Sequence, residues 1–120
     1  MLVGLYLPRL LPEMTVAIVE AFYPVVGDSL AAGAKILDLS IDLGAGFQQD
    51  CPPISHYRLI SRENLRLRTI NAEPGDALAP GSLIAVFGDD LEPAEIARPL
   101  RVAIAGIVSH AGMWSARVRA

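Results

Sequence analysis

A ten-residue motif that occurs twice constrains the fold of this chain more than any other feature. Residues 27–36 read Gly-Asp-Ser-Leu-Ala-Ala-Gly-Ala-Lys-Ile, and residues 75–84 read Gly-Asp-Ala-Leu-Ala-Pro-Gly-Ser-Leu-Ile. The copies are offset by 48 residues, and six of the ten positions are identical. Self-similarity at a fixed spacing indicates a duplicated supersecondary unit. Since two copies are too few for a solenoid, we expect a compact domain with an internal pseudo-two-fold repeat.

Length and composition are typical of one globular domain. The chain has 120 residues, of which 52% are hydrophobic, and a net charge of −3. The acidic balance argues against a nucleic-acid partner, and no apolar run is long enough to span a bilayer. The N-terminus lacks the pattern of a signal peptide, and a single cysteine cannot form an internal disulfide. We therefore expect a cytoplasmic protein with no membrane partner.

Apolar and β-branched runs separated by glycine and proline predict an all-β chain. The predicted strands cover residues 5–7, 14–22, 36–41, 57–60, 65–70 and 83–87. In the repeated motif, Asp28 and Asp76 follow a glycine at equivalent positions. We interpret them as turn residues that bond to nearby backbone amides, and not as a pair of catalytic carboxylates.

The strand at residues 36–41 alternates in character. Its odd-numbered positions are leucine or isoleucine and predict a buried face. Its even-numbered positions include Asp38, Ser40 and Asp42, which predict a face in contact with solvent. Residues 44–53 contain two glycines and two prolines and predict a loop. Within that loop Phe47 is a candidate anchor for a protein partner.

Two arginines, Arg66 and Arg68, share one face of the strand predicted at residues 65–70, opposite two leucines. A solvated sheet face is the simplest interpretation of this pattern. The alternative is a contact surface for an acidic partner, so both arginines are partner-binding candidates.

The C-terminal residues allow two interpretations. The apolar spacing from Ile96 to Ala111 fits a helix, whereas residues 101–108 and 113–118 fit a hairpin with Trp114 facing inward. We favour the hairpin. Residues 1–90 are assigned to the repeated domain, and residues 91–120 to a C-terminal extension packed on it. Because this extension is rich in apolar residues, it could also cover a homodimer interface.

The order of these motifs resembles the biotinyl/lipoyl carrier domain family, which includes the lipoyl-like domains of dihydrolipoamide acyltransferases. The resemblance covers about residues 5–88. It implies a flattened β-barrel or sandwich, the barrel-sandwich hybrid, with two four-stranded halves related by a pseudo-two-fold axis. The matching segments are residues 7–10, 14–20, 26–33, 37–42 and 73–86.

The attachment lysine of that family is missing here. The resemblance places it directly after Asp42, at the tip of a hairpin, but this position is Leu43. An amide to lipoate or biotin needs a primary amine, which leucine lacks. The one lysine in the chain is Lys35, at the base of the strand. Attachment of lipoate or biotin to Lys35, through an unusual register, is the alternative.

Cys51 and His56 are the residues most suggestive of catalysis. A cysteine and a histidine can act as nucleophile and base if they come within hydrogen-bond reach. No oxyanion hole is evident nearby, and an incidental loop thiol is the simpler interpretation. A metal site from Asp50, Cys51, His56 and His110 is disfavoured because their spacing matches no standard zinc pattern.

The resemblance and the missing lysine together predict a non-catalytic binding or assembly module. Its expected partners are proteins of an acyltransferase- or carboxylase-type complex, and no cofactor or metal is expected. The partner-binding candidates are Asp42, Leu43, Phe47, Cys51, Arg66 and Arg68. The alternatives are a working carrier modified at Lys35, a small enzyme or ligand-binding protein that uses Cys51 and His56, and an adaptor domain of a transport assembly.

Overall fold

The computed structural model describes residues 1–42, 54–88 and 95–107, and within these ranges the chain is all-β. The ten strands are β1 (Leu2–Tyr6), β2 (Ala17–Phe22), β3 (Ser29–Leu30), β4 (Lys35–Asp42), β5 (Ile54–Ser61), β6 (Leu65–Ile70), β7 (Ala77–Leu78), β8 (Leu83–Gly88), β9 (Ile96–Pro99) and β10 (Val102–Ile107). The all-β prediction is therefore confirmed.

The strands form two five-stranded sheets. Sheet I has the order β3-β6-β8-β1-β9, and sheet II has the order β7-β2-β4-β5-β10. Both sheets contribute side chains to one hydrophobic core between them. Over the described ranges each sheet keeps two edge strands, and no closed barrel is found.

The two sheets contain the same arrangement of strands. When β1–β4 are matched with β5–β8, and β9 with β10, the strand order of sheet I becomes the strand order of sheet II. Each pairing in sheet I then has a counterpart in sheet II. The one difference is direction, because β9 runs parallel to β1 whereas β10 runs antiparallel to β5. The internal repeat therefore covers β1–β8, and β9 and β10 occupy equivalent positions in the two sheets with opposite directions.

The residue registers follow the same symmetry, but with two different offsets. The β2–β4 pairing matches the β6–β8 pairing at the offset of 48 seen in the sequence motif, whereas β1 matches β5 at an offset of 54. The six additional residues lie in the connection between β1 and β2. The register pairs that establish this are Val19–Leu39, Leu67–Phe87, Leu5–Ala85 and Leu59–Leu37.

The repeated motif builds the same turn in both halves. Gly27 and Gly75 have φ values of 99° and 98°, a region that strongly favours glycine. The Oδ2 atoms of Asp28 and Asp76 each accept a hydrogen bond from the backbone amide three residues earlier, at 2.9 Å. The interpretation of both aspartates as turn residues is confirmed.

Equivalent positions of the two halves fill the core. Leu39 and Phe87 lie at matching positions and are 0% and 1% exposed, respectively. Burial of side chains of this size supplies about 1.5–3 kcal/mol each relative to leaving them in water. The largest fully buried side chains among the described residues are Val3, Leu5, Leu7, Val19, Ile36, Leu37, Leu39, Ile41, Leu59, Leu67, Ile84 and Phe87.

The alternation predicted for β4 is confirmed on its buried side, where Leu37, Leu39 and Ile41 are fully buried, but the opposite face is less exposed than predicted. Ile36 is fully buried, because the register of β4 against β5 shifts between Lys35 and Leu37. Such an irregularity lets two successive residues depart from strict alternation. Ser40 is also buried, and Asp38 is partly buried under neighbouring side chains. Asp42 is the last residue of β4 and pairs with Ile54.

The helical interpretation of the C-terminal extension is wrong for residues 96–107, which form strands. β9 pairs with β1 in sheet I, and β10 pairs with β5 in sheet II, so the extension adds one strand to each sheet. The second arm of the predicted hairpin, residues 113–118 with Trp114, lies outside the described residues.

Across residues 1–42, 54–88 and 95–107, no helix is long and apolar enough to cross a membrane.

Candidate functional site

The outer face of sheet II carries an ordered group of polar side chains. Asp38 on β4 lies directly opposite Arg58 on β5, and the next pair on the same face, two residues towards the C-terminal end of β4, is Ser40 opposite His56. Directly opposed residues in an antiparallel pair project from the same face of the sheet. Tyr23, which follows β2, reaches this face from the other side of β4.

Asp38 is the centre of the group. Its Oδ1 accepts a hydrogen bond from Arg58 Nε at 2.8 Å, and its Oδ2 accepts one from Arg58 Nη2 at 3.1 Å. This two-point geometry fixes the orientation of the guanidinium plane. The Tyr23 hydroxyl donates to Asp38 Oδ2, and Arg58 Nη2 donates to the Tyr23 oxygen at 3.2 Å. The three side chains therefore form a closed triangle of hydrogen bonds.

Two cations flank the ring of Tyr23. The Lys35 ammonium lies 5.2 Å from the ring centroid, and the Arg58 guanidinium carbon lies 5.5 Å from it. Both distances are within the range of cation–π attraction, which is worth about 0.5–1 kcal/mol at exposed sites. We call Tyr23, Lys35, Asp38 and Arg58 the outer-face cluster. Its tyrosine remains 43% exposed, so the cluster is open to a partner.

The local interactions keep the cluster in fixed charge states. A hydrogen bond to Asp38 and partial burial raise the pKa of Tyr23. Partial burial works to raise the pKa of Asp38, but hydrogen bonds from Arg58 and Tyr23 outweigh it and the pKa is lowered. The carboxylate partner raises the pKa of Arg58. Each shift moves a group away from neutral pH, so the cluster supplies fixed charges and hydrogen-bond donors instead of acid–base chemistry.

A second polar contact lies farther along β4. The Ser40 hydroxyl donates to Glu20 Oε2 at 2.5 Å, which satisfies a buried hydroxyl. His56, the register partner of Ser40, is partly buried. Its proposed partner Cys51 lies outside the described residues, as do Asp50 and His110. Over the described ranges, no group of three or more His, Cys, Asp or Glu side chains is arranged to hold a metal ion.

The equivalent surface of sheet I has a different chemistry. The positions that match Arg58 and Asp38 are Gly4 and Val86, which lie opposite each other in the β1–β8 pairing. A Cβ atom at Gly4 would meet the Tyr6 ring at 2.9 Å, so this ring covers the space that Arg58 occupies in sheet II. The position equivalent to Lys35 is Leu83. Sheet I therefore carries an aromatic and aliphatic surface where sheet II carries the cluster.

A second charged network holds the C-terminal strands to the turn after β5. Glu63 accepts two hydrogen bonds from the Arg98 guanidinium, at 2.6 and 2.7 Å, and a third from the Arg101 backbone amide at 2.9 Å. The hydrogen bonds from Arg98 hold the pKa of Glu63 at about 2, with the Arg101 amide acting in the same direction. This carboxylate therefore remains ionised over the physiological range.

The sequence-predicted partner residues are only partly brought together. Arg66 is exposed and lies opposite Ser29, whereas Arg68 is partly buried. The Nη1 atom of Arg68 is buried without a hydrogen-bond partner among the described residues. Both arginines belong to sheet I, whereas Asp42 ends β4 in sheet II. Leu43, Phe47 and Cys51 lie outside the described residues.

Fold and site together define a two-sheet, all-β domain with pseudo-two-fold topology and a charged cluster on the outer face of sheet II. No model of a protein family, no curated protein and no solved structure matches this chain.

Sequence reasoning missed the outer-face cluster. The alternation of β4 predicts a solvent-contacting position for Asp38 and does not identify Tyr23 or Arg58 as its partners. An aspartate in the interior of an apolar strand is itself a signal, because a partly buried carboxylate needs a paired cation. Identifying that cation required the register between β4 and β5, which the sequence motif does not contain.

Proposed function

We propose that this chain is a non-catalytic binding module of the biotinyl/lipoyl carrier type that lacks the attachment lysine. The proposal combines the barrel-sandwich resemblance of the sequence with the two-sheet topology. Its role is to dock onto protein components of an acyltransferase- or carboxylase-type complex, without a covalently attached cofactor.

The strongest support is the position of Lys35, the one lysine in the chain. Lys35 is the first residue of β4, whereas the connection to β5 begins after Asp42 at the other end of the strand. Seven residue steps along a strand correspond to about 23 Å. A prosthetic group on Lys35 would therefore start from the opposite end of β4 from the position that the resemblance implies.

The surroundings of Lys35 also support a role in binding. Its ammonium group lies over the Tyr23 ring, next to the ion pair of Asp38 and Arg58. The side chains of Arg58 and Asp38 are 30% and 15% exposed, respectively, so their geometry is held by packing as well as by charge. A surface of this kind presents oriented donors to a partner at little cost in side-chain entropy.

The repeat supports a division of roles between the halves. Both copies keep the turn aspartates and the core positions, whereas the outer faces differ in charge and shape. Residues that differ between two otherwise equivalent halves are free of the constraint that the fold imposes on both. We therefore assign the docking surface to the outer face of sheet II.

The test is a gain-of-modification experiment. The wild-type chain, Leu43→Lys and Lys35→Arg are produced in cells that supply lipoate ligase and biotin ligase, and intact masses are measured. We expect the wild type and Lys35→Arg to be unmodified and Leu43→Lys to gain a lipoyl or biotinyl group. A modified wild type whose adduct maps to Lys35 would establish the carrier alternative. An unmodified Leu43→Lys variant would contradict the carrier-type assignment.

The Cys51–His56 alternative makes a separate prediction. A catalytic thiol paired with a histidine has a pKa below the unperturbed value of about 8.5. Titrating the thiol by its rate of alkylation, with His56→Ala as the control, decides between an activated nucleophile and an incidental thiol. We expect an unperturbed rate that His56→Ala leaves unchanged.

A further inference from the structure

A cavity of about 400 Å³ lies beside the junction of β5 and β10, lined in the described part of the chain by Arg62, Arg101 and Val102. It is distinct from the outer-face cluster. Its volume lies in the lower part of the range for small-molecule sites, which is about 300–1,000 Å³.

Two arginines face each other across this junction. Val102 opposite Ser61 is the last pair of the β10–β5 register, and Arg101 and Arg62 are the next residues outward on the two chains. The Arg62 backbone amide donates to the Arg101 carbonyl at 3.0 Å, which extends the pairing to these residues. Like charges at directly opposed positions destabilise a sheet unless an anion lies between them.

The acidic residue nearby compensates for only part of this charge. Both carboxylate oxygens of Glu63 accept hydrogen bonds from the Arg98 guanidinium. The Arg101 Nε atom is 3.7 Å from Glu63, too far for a hydrogen bond, and its side chain is 75% exposed. Among the four described side chains Arg62, Arg98, Arg101 and Glu63, the formal charges leave two positive charges in excess. Arg62 is exposed and lines the cavity together with Arg101.

The geometry points to a binding site for a phosphate dianion at the Arg62–Arg101 cavity. Arginine offers paired N–H donors that match the oxygens of phosphate, and it keeps its charge at all physiological pH values. A phosphate monoester carries about two negative charges at neutral pH, which balances the local excess. The site does not depend on the docking role proposed above, because it uses different residues.

The test is an NMR titration with inorganic phosphate and, separately, with glycerol 3-phosphate. Ionic strength is held constant with sodium chloride, so that general screening does not change during the titration. We expect saturable shifts of the Arg62 and Arg101 side-chain Nε–H signals with both probes. Tighter binding of the ester identifies an organic phosphate as the ligand, whereas equal affinities identify free phosphate.

Substitutions provide the controls. Arg62→Gln and Arg101→Gln are each expected to raise the dissociation constant about tenfold, and Arg62→Lys less, because lysine keeps the charge but not the paired donors. Arg66→Gln removes the same charge from sheet I and should leave the affinity unchanged. Thermal unfolding checks that each variant folds. The proposal is overturned by non-saturable shifts, or by equal losses of affinity in Arg66→Gln and Arg62→Gln.

Discussion

Sheets I and II share one topology but differ on their outer faces. In the core, matching positions such as Leu39 and Phe87 are equally buried, and the turn aspartates make the same hydrogen bond. On the surface, the ion pair of Asp38 and Arg58 in sheet II corresponds to Val86 and Gly4 in sheet I. The core positions and turn aspartates are therefore features that the fold requires in both halves, whereas the Asp38–Arg58 ion pair is present in sheet II alone of these two equivalent positions.

The difference is also the basis for placing the proposed docking surface on sheet II. On sheet I the Tyr6 ring fills the space above the backbone of Gly4, the position equivalent to Arg58. On sheet II the tyrosine ring instead lies beside two cations and a carboxylate. A charged and oriented surface favours partner selection, because opposite charges attract and like charges repel across an interface.

The largest expected effect comes from the shared core. Phe87→Ala and Leu39→Ala remove side chains at equivalent positions, and we expect losses of about 3–5 and 2–5 kcal/mol in unfolding free energy. Because both halves pack on one core, chemical denaturation of either variant should show a single transition. Two separate transitions would show that the halves fold independently, and this would contradict a core shared by both halves.

The Glu63 network should contribute about 1.5–3 kcal/mol to the free energy of unfolding, as expected for hydrogen bonds to a charged group. The folded-state pKa of Glu63 is about 2, below its ordinary value of 4.5. Its stabilisation is therefore complete above pH 4.5 and is lost as the pH falls from 4.5 towards 2. Thermal unfolding of the wild type and Glu63→Gln should differ at pH 7 and converge near pH 2. A difference that persists unchanged at pH 2 would contradict this account.

The two motif turns should respond equally to substitution. Gly27→Ala and Gly75→Ala force a side chain to φ values near +98°, and we expect each to cost about 1–2 kcal/mol. An added Cβ atom meets nothing within 4 Å at either position, so backbone strain accounts for most of the expected destabilisation. Gly106→Ala has the same open space without a positive φ and serves as the control, with an effect within about 1 kcal/mol of zero. Unequal costs at Gly27 and Gly75 would refute the equivalence of the turns.

The smallest expected effect concerns the outer-face cluster itself. A double-mutant cycle of Asp38→Asn and Arg58→Gln, measured by chemical denaturation, should give a coupling energy of about 0.5–1 kcal/mol. The value is small because the pair lies near solvent. A coupling of several kcal/mol would mean that the cluster is a structural element of the fold, and the argument for a docking surface would lose its basis.

The sequence allowed the repeat, the motif turns and the all-β class to be predicted, because these depend on local residue types. The equivalence of β1 and β5 is not visible in the sequence. The longer connection between β1 and β2 changes the offset of the repeat from 48 to 54 residues, and few residues match at that offset. The partner of Asp38 depended on strand register, which local patterns do not determine. The tail was ambiguous because the apolar spacing from Ile96 onward fits both a helix and a strand.

The central claim is a carrier-type domain without an attached cofactor, and the intact mass of the chain purified from its own host tests it most directly. The account predicts the mass calculated from the amino-acid sequence, with Lys35 unmodified in the peptide map. A mass increased by a lipoyl or biotinyl group on Lys35 would contradict it and would identify the domain as a working carrier.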